Sequence, residues 1–268
     1  MTEVERDDAR PLPGSGWGVC ATVNEVFIGI SDTANALGTW KGTKITAFAP
    51  TNHVADYPTL SVNQNSVVIG TNNFTPSFSG TSLFTIPKAD LLSGAPTVAN
   101  MTRFDAPSAG ADRGFAIQGV VNWTGENATT HNVMTVSRDQ FDVFAYRLNG
   151  TNAAGATQSA VTELNAALYT FNGRGRQPDT LPGSVANRLV DTLDDRISAN
   201  VVQVNGKIIG LHTVTPTGVP SANAFTELRW YVLDANTFAT LSTGVINGGN
   251  FDYYQGSIAI NQFGDAVI

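Results

Sequence analysis

Short runs of apolar and β-branched residues, separated by polar turns, recur along most of this chain. Between Asp56 and Lys88 three such runs occur, PTLSV, SVVIG and SLFTI, with polar, turn-prone residues between them. Runs of about five to seven residues are too short for helices and have a common strand length. Pro87 ends the third run because proline cannot donate a ladder hydrogen bond. The stretch therefore predicts an antiparallel meander with polar loops at 71–74 and 76–80.

The same outline returns further along the chain. Gly114 to Asn149 and Leu193 to Asp234 each read as a strand, a turn and two more strands, and Asp252 to Ile268 begins another copy. The dipeptide Asn205-Gly206 is typical of two-residue hairpins. We expect a fourth strand in each complete unit, and these strands are predicted at 96–104, 160–169 and 240–246.

Equivalent first-strand positions define the spacing of the units. Taking Val62, Val120, Val201 and Ile258 as equivalent, the spacings are 58, 81 and 57 residues. Repeated small sheets at such spacing predict an all-β fold, a β-propeller with four-stranded blades. Strands this short also suit a β-sandwich or a parallel β-helix, and both stay open as alternatives.

The domain organisation follows from these units. A charged segment at 1–19 predicts a disordered lead-in, and residues 20–268 predict a single propeller domain. Its expected parts are a partial blade at 20–50, blades at about 56–105, 112–170 and 193–247, and a partial blade at 252–268. Both ends offer a second-strand run, EVFIGIS and GDAVI. Either the two runs close one blade together or the ring is incomplete, and their competition for one position favours a fragment.

Composition and charge exclude several classes of partner. Hydrophobic residues make up 42% of the 268 residues, which is enough for a large core. A net charge of −7 argues against nucleic acid, which needs clustered Lys and Arg, and against anionic membrane surfaces. No apolar run is long enough for membrane insertion, and no signal peptide precedes the strands. Cys20 is the only cysteine, so no internal disulfide forms, and we expect a buried thiol.

Four segments in the expected order carry a resemblance to a known group: SDTANALGTW, VADYPTLSVNQNSVVIGTNNF, LDDRISANVVQVNGKIIGLHTV and FDYYQGSIAINQFGDAVI. They resemble secreted bacterial proteins with β-propeller-like repeats and no settled activity. The resemblance implies a repeat β fold and an extracellular or cell-surface location, and it transfers no catalytic residue. Ser31 to Trp40 is also loosely similar to the Asp-box hairpin of sialidase-like propellers, which is a structural turn.

Candidate chemistry is sparse. His53, His131 and His212 show no metal-ligand spacing, and a structural role is favoured for each. His212 is the strongest functional candidate, since the second strand of a blade can present side chains to one face. No nucleophile-elbow, Walker or dinucleotide motif occurs, so no catalytic residue and no cofactor is predicted.

Three aspartates occupy the same place in their units, just before the first strand. Repetition at Asp56, Asp195 and Asp252 favours a turn or strand-start role, because an asymmetric reaction needs unlike groups. Shared ligand binding or Ca²⁺ coordination is the alternative. Tyr57 and Tyr253 follow two of these aspartates, and either core packing or a pocket would suit them. The candidate ligand-binding residues are thus Asp56, Tyr57, Asp195, His212, Asp252 and Tyr253.

Exposed loops and aromatic side chains complete the functional prediction. Trp40, Trp123 and Trp230 are expected to fill space between blades, with a sugar-stacking platform as the alternative. The leading hypothesis is a non-enzymatic propeller module that binds a protein or carbohydrate through its loops, foremost 151–155, 173–187 and 216–224. The alternatives are a glycoside hydrolase or lyase with carboxylates around a central channel, and a structural cell-surface component.

Overall fold

The computed structural model describes residues 2–3, 24–48, 54–75, 77–105, 113–137, 142–164, 168–170, 174–176, 189–217 and 225–268. Strands make up 58% of the structure, several separate sheets form, and no sheet closes into a barrel. The described part contains one helix of four residues, and no helix there has the length and apolar character to cross a membrane. The predicted all-β class is confirmed.

The first sheet is a hairpin with a two-residue strand on one edge. Its strands pair antiparallel in chain order: β1 Thr2–Glu3, β2 Asn24–Ser31 and β3 Trp40–Phe48. The turn between β2 and β3 is closed by the Asp32 N–H, which donates to Thr39 O at 3.0 Å. Apart from Thr2–Glu3, the predicted lead-in at 1–19 lies outside the described residues, as do Cys20 and His53.

The second sheet is a four-stranded antiparallel meander interrupted by a short helix. Its elements are β4 Val54–Val62, β5 Ser66–Thr75, β6 Ser77–Pro87, α1 Lys88–Leu91 and β7 Thr102–Asp105. The polar loops predicted at 71–74 and 76–80 are wrong at the described residues, because β5 continues through 71–75 and β6 through 77–80. Polar side chains support that extension, since Asn73 Nδ2 donates to Ser82 Oγ at 3.0 Å across the hairpin. The strand predicted at 96–104 is reduced to β7.

The third sheet begins as a meander and then breaks into pieces. Its strands are β8 Arg113–Asn122, β9 Thr130–Ser137, β10 Val143–Asn149, β11 Thr157–Gln158, β12 Thr162–Leu164 and β13 Tyr169–Thr170. β11 and β12 both pair with β10, whereas β13 pairs with a later strand. The single fourth strand predicted at 160–169 is therefore wrong. One reason is that Ser159 Oγ accepts the Arg147 N–H at 3.0 Å, so a side chain replaces part of the ladder.

The next strands form a small hairpin and a second long meander. They are β14 Arg174–Arg176, β15 Leu189–Asp191, β16 Val201–Val204, β17 Lys207–Pro216, β18 Glu227–Asp234 and β19 Thr240–Ile246. β16 runs parallel to β8, with Val201 opposite Val120, which joins the two meanders into one ten-stranded sheet. The predicted first strand ISANVVQV keeps only its last four residues. Ile197 lies before it, and its carbonyl accepts the Gln118 side-chain amide at 2.9 Å instead of a ladder bond.

The C-terminal segment does not form the strand expected around Ile258. It contains only two-residue strands, β20 Ala259–Ile260 and β21 Ala266–Val267. Side chains hold its backbone in place of a ladder: the Gln255 N–H donates to Thr213 Oγ1 at 3.0 Å. A β-carbon at Gly256 would meet Leu228 at 2.6 Å, so the segment lies directly against β18. The partial blade predicted at 252–268 is replaced by this covering segment.

Three hydrophobic cores hold the structure together, two between consecutive sheets and one within the ten-stranded sheet. The first joins Val26 and Ile45 of the hairpin to Phe84 of the second sheet. The second holds the other face of the second sheet against β8–β10, and the third joins β8–β10 to β16–β18. Burying one large aliphatic or aromatic side chain stabilises the fold by about 1.5–3 kcal/mol. The hairpin therefore has one face in a core, and its other face remains available.

Candidate functional site

Asp56 and Tyr57, two of the predicted ligand-binding residues, lie near the start of β4, beside the start of β8 and the segment before β16. Tyr57 has a positive φ of 52° at a bulge of β4, a conformation uncommon for residues with a β-carbon. The Arg196 guanidinium lies 4.3 Å from the centre of the Tyr57 ring and 4.9 Å from that of Phe115 at the start of β8. Asp194 accepts from Arg196 Nε and Nη2 at 2.7 Å each. Asp56 is exposed beside this cluster.

Asp195 and His212, two further predicted residues, lie in direct contact. His212 Nδ1 is 2.8 Å from the Asp195 carbonyl oxygen, and Nε2 is 3.1 Å from the Tyr231 hydroxyl. Because a carbonyl can only accept, Nδ1 carries the proton and Nε2 accepts from Tyr231. Burial lowers the pKa of His212 to about 4. The ring is therefore neutral at physiological pH and links β17, β18 and the 192–200 segment.

The Asp195 carboxyl group is enclosed in the same region. Asp195 is 1% exposed, and its Oδ2 has no hydrogen-bond partner among the described residues. Burial raises its pKa to about 7, and the Asp194 carboxylate adds to the rise. Tyr169 packs edge-on to His212, with ring centres 5.1 Å apart, and closes the cluster. Asp195 and His212 are both 1% exposed, so neither side chain is open to a ligand in this arrangement.

Asp252 and Tyr253 bind a different part of the chain. The Asp252 carboxylate accepts the N–H groups of Arg176 and Thr226 at 2.7 and 2.9 Å and Arg176 Nε at 3.1 Å. Although partial burial acts to raise it, the pKa of Asp252 is lowered by these hydrogen bonds. The Tyr253 N–H donates to Thr226 O at 3.0 Å. These bonds attach the C-terminal segment to β14 and to the residues before β18.

His131, for which the sequence offers only a structural role, joins two serines. Its Nε2 is 2.9 Å from Ser61 Oγ, and its Nδ1 is 3.1 Å from Ser66 Oγ. Ser66 donates its own hydrogen to Asn63 Oδ1 at 2.9 Å, Ser61 Oγ lies 3.4 Å from Val68 O, and the ring also has a backbone hydrogen bond at Val120. Burial lowers the pKa of His131 to about 3. Serine and histidine also form catalytic pairs, but here all partners are buried between β4, β5 and β9.

The described residues give little support to the predicted binding loops or to the Ca²⁺ alternative. Of the predicted binding loops, 177–187 and 218–224 lie outside the described residues, and Thr151 in the first loop is buried. Across the described ranges, no group of three His, Cys, Asp or Glu side chains could hold a metal ion. The Ca²⁺ alternative thus has no candidate ligand set there.

An open cleft lies on the outer face of the β2–β3 hairpin, which we call the hairpin cleft. It has a volume of about 390 Å³ and is lined by Phe27, Ile28, Gly29, Gly42, Thr43 and Lys44. Gly29 and Gly42 are opposite each other in the ladder and form its floor. Trp40 borders the cleft, because Cε3 of its indole lies 3.6 Å from the position that a β-carbon on Gly29 would take. The Trp40 residue is 50% exposed.

Polar contacts fix both ends of the hairpin cleft. The Trp40 Nε1–H donates to Ala36 O at 3.1 Å, which holds the indole in place. At the other end Lys44 Nζ is 2.6 Å from Glu25 Oε1. Sequence reasoning identified Trp40 as an alternative sugar platform, but it gave no sign of the two glycines, whose opposition depends on the hairpin register.

Comparisons with known proteins do not assign the chain: no family model, curated protein or solved structure matches it. The resemblance to secreted propeller-like proteins stays an expectation.

Proposed function

We propose that this protein is a non-enzymatic, β-propeller-type module that binds a carbohydrate or protein ligand on an exposed surface, and that it works outside the cell. The propeller assignment is supported by the strand order, because two meanders run in chain order, β4–β7 and β16–β19, and β8–β10 begin a third. It is further supported by cores between the hairpin and the second sheet and between the second and third sheets. An incomplete ring is consistent with both features.

The state of the polar groups supports binding over chemistry. The imidazoles of His131 and His212 have hydrogen-bond partners on both nitrogens and are buried. Asp195 is buried, and Asp194 is paired with Arg196 at 2.7 Å. A glycosidase needs two carboxyl groups that reach the substrate, one on each side of the scissile bond. These carboxyl groups do not favour the hydrolase alternative.

The observation that carries the proposal is the hairpin cleft. Small-molecule sites are concave and combine apolar or aromatic walls with a few polar groups. The cleft combines Phe27 and Trp40 with the Glu25–Lys44 pair on a sheet whose opposite face is fixed in a core. Such a site is formed before the ligand arrives, so little ordering opposes binding.

A binding screen on the full chain tests this function. The immobilised protein is exposed to a glycan panel and to a library of extracellular proteins, in parallel with the variants Trp40→Ala and Trp123→Ala. Trp123 is 75% exposed elsewhere and serves as the matched control. We expect a ligand that loses about tenfold or more in affinity with Trp40→Ala and is unaffected by Trp123→Ala. If the affinity of every ligand is unchanged by Trp40→Ala, or if a cleaved product is released, the proposal is wrong.

A further inference from the structure

We infer that the hairpin cleft is a carbohydrate site for a neutral pyranose chain, with Trp40 as the stacking side chain and Gly29 and Gly42 as the floor. This inference rests on the proposed binding function and names its ligand class. The structure contributes three independent observations, which concern the floor, the wall and the charged end of the cleft.

The two glycines of the floor have no conformational reason to be glycine. Neither has a positive φ, and a β-carbon would meet nothing closer than 3.6 Å at either position. Glycine in a strand weakens it, and two opposed glycines do so twice. A β-carbon would fit at both positions, so what the glycines provide is a gap above the sheet, which the Trp40 ring borders at Gly29. That space is the cleft itself.

The wall is an aromatic ring whose position is already fixed. Trp40 is held through Nε1 by Ala36 O and lies against Gly29, yet half of its surface faces water. A ring held in this way loses little freedom when a flat ligand packs on it. The C–H face of a pyranose is a flat apolar surface of this kind. Trp40 thus supplies apolar contact at a defined angle to the glycine floor.

The charged end selects a neutral ligand with hydroxyl groups. Glu25 and Lys44 pair at 2.6 Å, and Lys44 is largely exposed. Together they offer an acceptor and several donors with no net charge, which suits hydroxyls better than a phosphate or a carboxylate. A purely apolar ligand would leave this pair poorly solvated. A volume of about 390 Å³ is near the lower limit for ligand sites, so the cleft takes a short stretch of sugar units.

An added peptide strand is a weaker fit to this part of the hairpin. The edge of β2 at Phe27 and Ile28 is already paired with β1, so backbone ladder bonds there are taken. On the β2 side of the hairpin, recognition would have to come from side chains on the outer face alone. The glycine floor presents none.

The test uses calorimetric titration of the full chain with neutral gluco-, manno- and galacto-oligosaccharides and with an oligouronate. The informative variants are Trp40→Ala and Gly42→Val, because the second fills the floor without disturbing the backbone. Trp123→Ala and Gly94→Ala are the controls, since Gly94 has open space around it. We expect at least one neutral oligosaccharide to bind, with affinity reduced about tenfold or more by either informative variant and changed less than about twofold by the controls.

The outcomes separate the ligand class from the binding function. If Trp40→Ala does not fold, Gly42→Val decides, and its unfolding midpoint should equal or exceed that of the parent. If only the oligouronate binds, or if neither Trp40→Ala nor Gly42→Val changes the affinity for the neutral oligosaccharide, the inference is wrong. If no sugar binds while a protein ligand still depends on Trp40, the ligand class is wrong and the binding function stands. If no ligand of either kind depends on Trp40, both proposals are wrong.

Discussion

Replacing Gly119 with alanine tests the packing between the second and third sheets. A β-carbon at Gly119 of β8 would lie 1.8 Å from Ser61 Oγ, 2.9 Å from Ser61 Cβ and 3.3 Å from Val68 Cβ. Ser61 cannot move away freely, because its hydroxyl is bonded to His131 Nε2 at 2.9 Å in the buried interior. The new methyl group must therefore shift a strand or break this hydrogen bond.

Both consequences lower the free energy of unfolding. Overpacking a well-filled interior costs about 1–3 kcal/mol. Displacing the Ser61 hydroxyl breaks its hydrogen bond to the buried His131 ring, which costs about 1–3 kcal/mol. We therefore expect Gly119→Ala to destabilise the protein by roughly 1–6 kcal/mol, with the upper end if both consequences occur, compared with the roughly 5–15 kcal/mol that domains possess.

Guanidinium unfolding followed by tryptophan fluorescence measures this effect. The midpoint should fall for Gly119→Ala with little change in the slope, while Gly94→Ala should match the parent. Adding Ser61→Gly to Gly119→Ala removes the clash, so the double variant should be more stable than the sum of the two single effects by about 1 kcal/mol or more. An unchanged midpoint, or simple additivity, would show that close approach to Ser61 is not what requires glycine here.

Three further substitutions have defined outcomes. Burial raises the folded-state pKa of Asp195 to about 7, so between about pH 4 and pH 7 the unfolded chain releases this proton while the folded protein keeps it, and stability falls. The stability of Asp195→Asn relative to the parent should therefore increase from about pH 4 to pH 7, and a constant difference in urea unfolding would refute this. Tyr231→Phe leaves His212 Nε2 unpaired and should cost about 1–3 kcal/mol in the same assay, whereas no loss would contradict the assigned bond. Gly206→Ala, at a φ of 71°, should lower stability by about 1–2 kcal/mol in thermal unfolding, and an unchanged melting temperature would contradict the turn geometry.

Strands were predictable from sequence where apolar runs and turn residues agreed. β18 and β19 have the predicted bounds, because ELRWYVLD and TLSTGVI are continuous β-rich runs that end at turns. The prediction failed at the β5–β6 hairpin, where Thr and Asn look like loop residues. Their side chains bond across the strands there, as in the Asn73–Ser82 contact, and such pairing is invisible until the register is known.

The candidate site was predictable only in part, for a related reason. The sequence indicated Asp195 and His212 as separate candidates. Their contact joins a side-chain nitrogen to a backbone carbonyl, and such a contact cannot be predicted from residue types. The hairpin cleft depends on Gly29 lying opposite Gly42, and a register slip of one residue would remove that opposition. The signal in the sequence was indirect: Asp32 and Thr39 bracket the turn and so determine the register.

Directional bonds between neighbouring sheets explain how an open cleft can remain rigid at the end of the stack. Apolar contact alone would allow one sheet to slide over the next, because dispersion and burial have little directional preference. Here Thr59 Oγ1 donates to Ile117 O at 2.6 Å between the second and third sheets, and Asn132 Nδ2 donates to Gln203 Oε1 at 2.9 Å between the two meanders of the ten-stranded sheet. A buried polar bond is costly to leave unmade, so each boundary has one preferred register. The buried polar groups that the sequence offered as candidate chemistry therefore align the strands of the fold, and the surface proposed for recognition is the one that carries two opposed glycines.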